Sequence, residues 1–207
     1  IKNIKKIDGY TFNPSLFKNL GAKDYFKFVK LILNKTSNKD LSIEVIGDSY
    51  LSCYNQALKI SALNKNVRVK IPITYSNGKS TKKLLKDLVQ NKIKLNVTAI
   101  FTLSQIKEVL PVLKNTSSIL SIFSGRLYDI GIDAAEKFKT ISNYVHKNSK
   151  CKTLWASCRM AYDIKTAQKS KADIITISPS LFIKSKQFGY SPLKYSKDTV
   201  KSFLIDA

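Results

Sequence analysis

Short alternating runs punctuate the chain. In 67–74, VRVKIPIT, Val67, Val69, Ile71 and Ile73 alternate with Arg68, Lys70, Pro72 and Thr74, the two-residue period of a strand. Comparable runs lie at 9–13 (GYTFN), 41–47 (LSIEVIG), 94–102 (KLNVTAIFT), 117–124 (SSILSIFS), 152–158 (KTLWASC) and 173–179 (DIITISP). Stretches with helical spacing separate them, such as 79–90 and 133–147, and 192–205 reads as an extra C-terminal helix. Strands alternating with helices over short connections predict βαβ units and a parallel sheet. Seven strands are visible. The opening IKNIKKI reads as the tail of a helix that needs a strand before it. An eighth strand upstream would complete a (β/α)8 barrel, its first strand missing from this chain. A seven-stranded doubly wound sheet is the alternative, weakened by the lack of any GxGxxG or Walker loop. With no linker, low-complexity segment or repeat, 1–207 reads as one barrel domain.

Parallel strands covered on both sides normally read as continuous apolar runs. These do not. Ser42 and Glu44 share a face opposite Ile43 and Val45; Arg68 and Lys70 share one opposite Val67, Val69 and Ile71. Asn96 and Thr98 lie opposite Leu95, Val97 and Ala99, and Ser121 shares a face with Phe123. Trp155, Ser157 and Arg159 lie opposite Leu154, Ala156 and Cys158, and Thr11 and Asn13 continue the pattern. In a closed barrel one face of each strand points to the axis and the other to the helices. The apolar sets suit the helix layer, so the polar sets converge inside, near the C-terminal strand ends where barrel active sites lie. The alternative, a polar core satisfied internally, would strain the energetics, because each unpaired buried polar group costs about 1–3 kcal/mol. Lys70 then points away from bulk water. Desolvation should lower its pKa, and a neutral amine can attack a carbonyl carbon to give a Schiff base. An ion pair with Glu44 is the competing role, and spacing alone does not separate the two.

Composition narrows the classes. Hydrophobic residues are 43% and charged residues 24%, ordinary for a soluble globular protein. No apolar run approaches the roughly eighteen residues of a membrane helix, so no membrane partner is expected. The chain opens with Ile1 rather than Met, which leaves an upstream targeting segment open. Cys53, Cys151 and Cys158 form neither a disulfide framework nor a CxxC pattern, and reduced thiols suit a cytoplasmic protein. The single His146 can build neither a histidine metal site nor a Ser-His triad and reads as a surface cation at a helix end. The net charge of +22 suggests nucleic acid, but the cations are nearly all lysines spread along the chain, as an AT-rich coding sequence produces. Arginine, the usual reader of bases and phosphates, occurs only at Arg68, Arg126 and Arg159, so no specific nucleic-acid partner is expected. Attraction of small anionic substrates is the more natural consequence.

Five segments, DGYTFNPSLF (8–17), VKIPIT (69–74), LNVTAIFT (95–102), SIFSGRLYD (121–129) and LWASCR (154–159), resemble in this order the motifs of transaldolases, especially the small subfamily. The resemblance implies a (β/α)8 barrel that uses no metal or organic cofactor and moves a dihydroxyacetone unit between phosphorylated sugars. It implies that Lys70 forms the Schiff base and that Glu44 and Thr98 hold a catalytic water. Asn13, Asn96 and Ser121 would hold the dihydroxyacetone unit, and Arg126, Arg159 and Ser157 the phosphate. Homo-oligomers, with the helix at 192–205 packed on a neighbour, are a further implication. Three departures stand out: Phe12 replaces a threonine of TTNPS, Ile122 replaces the proline of SPF, and the family's first-strand aspartate has no counterpart. That aspartate is expected about ten residues upstream of Ile1. If it is truly absent, the chain would be a non-catalytic sugar-phosphate-binding barrel turning over poorly, open between 9–13 and 173–179. A fructose-6-phosphate aldolase-like lyase is the other alternative. That relative usually carries an amide for the carboxylate and a tyrosine in SPF, whereas Glu44 and Phe123 stand here.

Overall fold

A computed structural model describes residues 7–19, 21, 23–36 and 39–207. All but Ile7 of the segment read as a helix tail lies outside the described residues. The first βα pair is β1 (Gly9–Phe12) and α1 (Pro14–Asn19), with α2 (Tyr25–Thr36) after it. Then come β2 (Asp40–Glu44), α3 (Tyr50–Ser61), β3 (Val67–Pro72), α4 (Lys82–Gln90), β4 (Leu95–Ile100) and α5 (Leu103–Leu113). The second half holds β5 (Ile119–Ile122), α6 (Ser124–Asp129), α7 (Ala134–Asn148), β6 (Lys152–Trp155), α8 (Asp163–Lys169) and β7 (Ile174–Ile175). The chain closes with α9 (Pro179–Ser185) and α10 (Pro192–Asp206). Every strand run in the sequence is a strand, each shorter at its C-terminal end than the alternation implied.

The seven strands are all parallel and lie side by side in chain order. Right-handed crossovers that always step in the same direction put their helices on one face. A doubly wound sheet needs a reversal in strand order, and none occurs. The sheet instead curls into an incomplete (β/α)8 barrel. No ladder joins β1 to β7 among the described residues, but the hydroxyls of Thr11 and Thr176 meet at 2.8 Å across that seam.

Side-chain period and capping explain the helix layer. Leu84, Leu85 and Leu88 of α4, and Phe138, Ile141 and Val145 of α7, are fully buried against the outer strand face. Asp133 starts α7 by accepting from the N–H groups of Ala135 and Glu136, and Thr102 and Gln105 form a reciprocal capping box on α5. On the sheet side the same core takes Ile43, Val69, Ile71, Val97, Leu120 and Ile122. By contrast, α9 and α10 bury no residue, and α10 exposes Leu193, Val200, Phe203 and Leu204.

Two strands depart from simple alternation. In β4 the ladder to β5 slips between Val97 and Ile100, and Ala99 takes φ +58°, a β-bulge beside Thr98. In β6 the expected faces are inverted. Trp155 points to the helices, its ring 5.1 Å from Phe138 and 6.3 Å from Tyr128. Leu154 and Ala156 instead form a small apolar cluster with Ile119, joined by Phe123 and Ile174. Ser157, at φ +63°, then resets the phase of the chain. The interior thus has a polar side built by β2–β5 and an apolar side completed by β6 and β7.

Candidate active site

β2 and β3 run in register with Glu44 opposite Lys70, and β4 places Asn96 opposite Lys70 on the other side. The Lys70 ammonium lies 2.9 Å from Glu44 Oε2, both side chains largely shielded from solvent. Beside them runs a buried hydrogen-bond chain across three strands. Ser121 Oγ donates to Asn96 Oδ1 at 2.7 Å, and Asn96 Nδ2 donates to Ser42 Oγ at 3.1 Å. Asn96 thereby spans the polar face from β2 to β5, with its amide oxygen toward Ser121 and its amide nitrogen toward Ser42. Thr98, one pleat further along β4, is fully buried, and its hydroxyl has no protein partner. A buried hydroxyl without a partner costs free energy unless water or ligand meets it. Lys70, Glu44, Asn96, Thr98 and Ser121 therefore come together as the sequence predicts.

The remaining predicted residues sit at the strand ends around this cluster. Asn13 follows β1, and its carboxamide oxygen accepts from Leu16 N–H at 2.9 Å, capping α1. Arg126 stands exposed on α6 with its guanidinium 5.1 Å from the centre of the Phe123 ring, and Phe123 in turn packs on Phe101 at 5.7 Å. Arg159 lies in the loop after β6. Its backbone N–H and that of Met160 donate to the buried carboxylate of Asp163, at 2.7 and 3.1 Å. Its guanidinium is taken by Asp129: Nε donates to Oδ1 at 3.0 Å, and Nη2 donates to Oδ2. Ser157 presses against α6, where a β-carbon on Gly125 would lie only 1.6 Å from its carbonyl oxygen. Only glycine fits there, which explains the glycine before Arg126.

Three contributors escape sequence reasoning. Tyr25, the first residue of α2, donates its hydroxyl to the Glu44 carbonyl oxygen. Burial, and then the Glu44 charge, push its phenol above the ordinary range. Ser42 was visible on the inner face, but its bond to Asn96 was not. Asp129 carries no signal at all, since its partner is thirty positions away. Cys158 is not a candidate nucleophile: burial pushes its thiol up to about 12, and it donates to the Thr176 carbonyl at 3.2 Å.

A curled parallel sheet with helices on its outer face and a buried lysine–carboxylate pair inside defines the (β/α)-barrel class of protein. Fold likeness agrees. The chain superposes on inosine 5′-monophosphate dehydrogenase from Legionella pneumophila with a TM-score of 0.52 at 14% identity, covering 77% of this chain and 49% of that one. That likeness speaks to fold alone. The sequence is more particular: residues 1–205 match the Transaldolase/Fructose-6-phosphate aldolase family, and the chain belongs to it. It is 32% identical over 188 residues to proteins named "Probable transaldolase" from Streptococcus pyogenes serotype M5 (strain Manfredo) and serotype M49 (strain NZ131). The alignment spans 90% of this chain and 84% of each relative.

Proposed function

We propose that this protein is a transaldolase that works through a Schiff base on Lys70. The observation that carries the reading is the Lys70–Glu44 contact at 2.9 Å, set beside the unpartnered Thr98 hydroxyl inside the sheet. Lys70 Nζ adds to the keto carbon of a ketose phosphate and expels water, leaving an imine. Glu44 accepts the proton that Nζ must lose, and with Thr98 it holds the water that leaves and later returns. Cleavage of the bond between the carbons α and β to the imine carbon, with the β-hydroxyl proton passing to Glu44 through that water, releases an aldose phosphate and leaves a three-carbon enamine on Lys70. The enamine adds to the aldehyde of a second aldose phosphate, and hydrolysis frees the new ketose. Asn96 and Ser121, locked to each other, offer polar groups to the hydroxyls of the three-carbon unit, with Asn13 at the mouth. Arg126 and Arg159, with Ser157, take the phosphate.

Names of relatives support this reading, as do Glu44 and Phe123 over the lyase alternative. The apolar exposed side of α10 supports assembly into a homo-oligomer, and the three free cysteines support a reducing, cytoplasmic setting. The test is borohydride reduction in the presence of a ketose phosphate. A three-carbon mass should be trapped on the peptide containing Lys70. Adduct on another lysine, or none in the Lys70 peptide of the full-length protein, would remove the assignment. Product analysis without an acceptor separates transfer from lysis, since a lyase alone releases free dihydroxyacetone.

A further inference from the structure

The two arginines proposed for phosphate are in different states. Arg126 makes no ion pair among the described residues and rests on the face of Phe123. Arg159 is already neutralised, its Nε and Nη2 both spent on Asp129. Asp129 and Arg126 are three residues apart on α6, so the carboxylate projects from the same side of the helix as the free arginine. A phosphate held by Arg126 therefore approaches a guanidinium whose fork is filled by a competing anion.

We infer that Asp129 is a positioning residue, which holds Arg159 ready in the absence of substrate and yields it to an incoming phosphate. The inference rests on the phosphate reading above. Its physical basis is the exposure of the pair, 44% for the arginine side chain and 46% for the aspartate. An exposed pair is weak, and water can replace it at little cost. A phosphate dianion offers the guanidinium the same bidentate geometry with twice the charge, so it can displace the carboxylate. A singly charged carboxylate ligand gains nothing by the exchange. Asp129 thus lowers affinity by about the same factor for every anion that must displace it. It also keeps Arg159, beside Gly125 and fixed at its backbone by Asp163, from swinging into solvent.

The measurement is calorimetric binding of inorganic phosphate and of acetate to the full chain, with Asp129→Asn and Arg126→Ala compared to the parent. Asp129→Asn should tighten phosphate on the order of 1.5- to fivefold, the scale of one exposed ion pair, and tighten acetate by a similar factor. KM for phosphorylated substrate should fall along with the phosphate dissociation constant. A merely structural role for Asp129 predicts the opposite sign, because a loosened Arg159 binds more weakly. If Arg126→Ala weakens phosphate while Asp129→Asn leaves it unchanged or weaker, the phosphate site stands and the inference is overturned. If Arg126→Ala binds phosphate as well as the parent, the phosphate reading itself falls, and the inference with it.

Discussion

Lys70 and Glu44 are register partners on neighbouring strands, and their charged atoms meet 2.9 Å apart on the concave face of the sheet. The two roles that the sequence leaves open for Lys70, ion-pair partner and nucleophile, are thus compatible in one geometry. In the proposed mechanism the pair keeps the charge compensated before substrate binds, and the carboxylate takes the proton when the amine attacks. Glu44→Gln keeps the shape and removes both functions. The rate of borohydride-trapped adduct at Lys70 should fall by about 10²–10⁴, with stability reduced by about 1–3 kcal/mol as Lys70 loses its counter-charge. Trapping at the parent rate would show that another group receives the proton.

Arg68 shares the inner face with Lys70 but serves the opposite end of the barrel. Its Nε donates to Asp40 Oδ2 at 2.9 Å and its Nη1 to the Ser117 carbonyl at 3.1 Å, tying the start of β2 to the lead-in of β5. The N-terminal end of a barrel reads as stability rather than catalysis. Arg68→Met should cost about 1–3 kcal/mol, lowering Tm by about 3–10 °C for a chain of this size. At a temperature where the variant is folded, Lys70 trapping should persist. A variant with unchanged Tm and lost trapping would move Arg68 into the site.

Ala99 holds a left-handed conformation, φ +58°, inside the β4 bulge, where an L side chain costs about 1–2 kcal/mol. The bulge is what ends simple alternation immediately after Thr98. Ala99→Gly relieves the strain and should leave stability unchanged or raise it by up to about 1 kcal/mol, since added unfolded-chain entropy offsets part of the gain. Ala99→Val, β-branched at positive φ, should destabilise by more than about 1 kcal/mol. Equal stability of the two variants in denaturant titrations would show that the bulge imposes no strain.

Legibility in the sequence followed the reach of the interactions. The strands, the barrel and the cluster of Lys70, Glu44, Asn96, Thr98 and Ser121 were readable because a two-residue period assigns faces locally, and register then follows from parallel pairing. Uninterrupted alternation groups Trp155 with Ser157 and Arg159 on the inner face of β6, whereas the structure turns Trp155 to the helices. The left-handed turn at Ser157 breaks that phase, and no residue type there announces it. Asp129 on Arg159 and Tyr25 on Glu44 bridge distant positions through loops and helix ends, where no periodic signal exists. The exposed α10 was predicted as a helix, but its lack of packing depends on what surrounds the chain, not on its own pattern.

His146, expected as a plain surface cation, has a specific partner: its Nε2 lies 2.8 Å from Asp173 Oδ2. The same oxygen accepts from the Thr153 N–H at 2.7 Å and the Thr153 hydroxyl at 3.0 Å, which joins α7, β6 and the approach to β7. Partial burial pushes the Asp173 carboxyl up, but the His146 hydrogen bond, the Thr153 bonds and the His146 charge together outweigh it and hold the group below its ordinary value. A depressed folded value means that the ionised form stabilises the fold. That contribution is fully present above the unfolded carboxylate value near about pH 4 and is lost as pH falls through the lower folded value. Asp173→Asn mimics the protonated state at every pH. The stability gap between parent and variant, read from urea midpoints, should shrink as pH falls from about 5 toward about 3. A gap of the same size at both ends of that range would show that the Asp173 charge contributes nothing and that its hydrogen-bond geometry alone does.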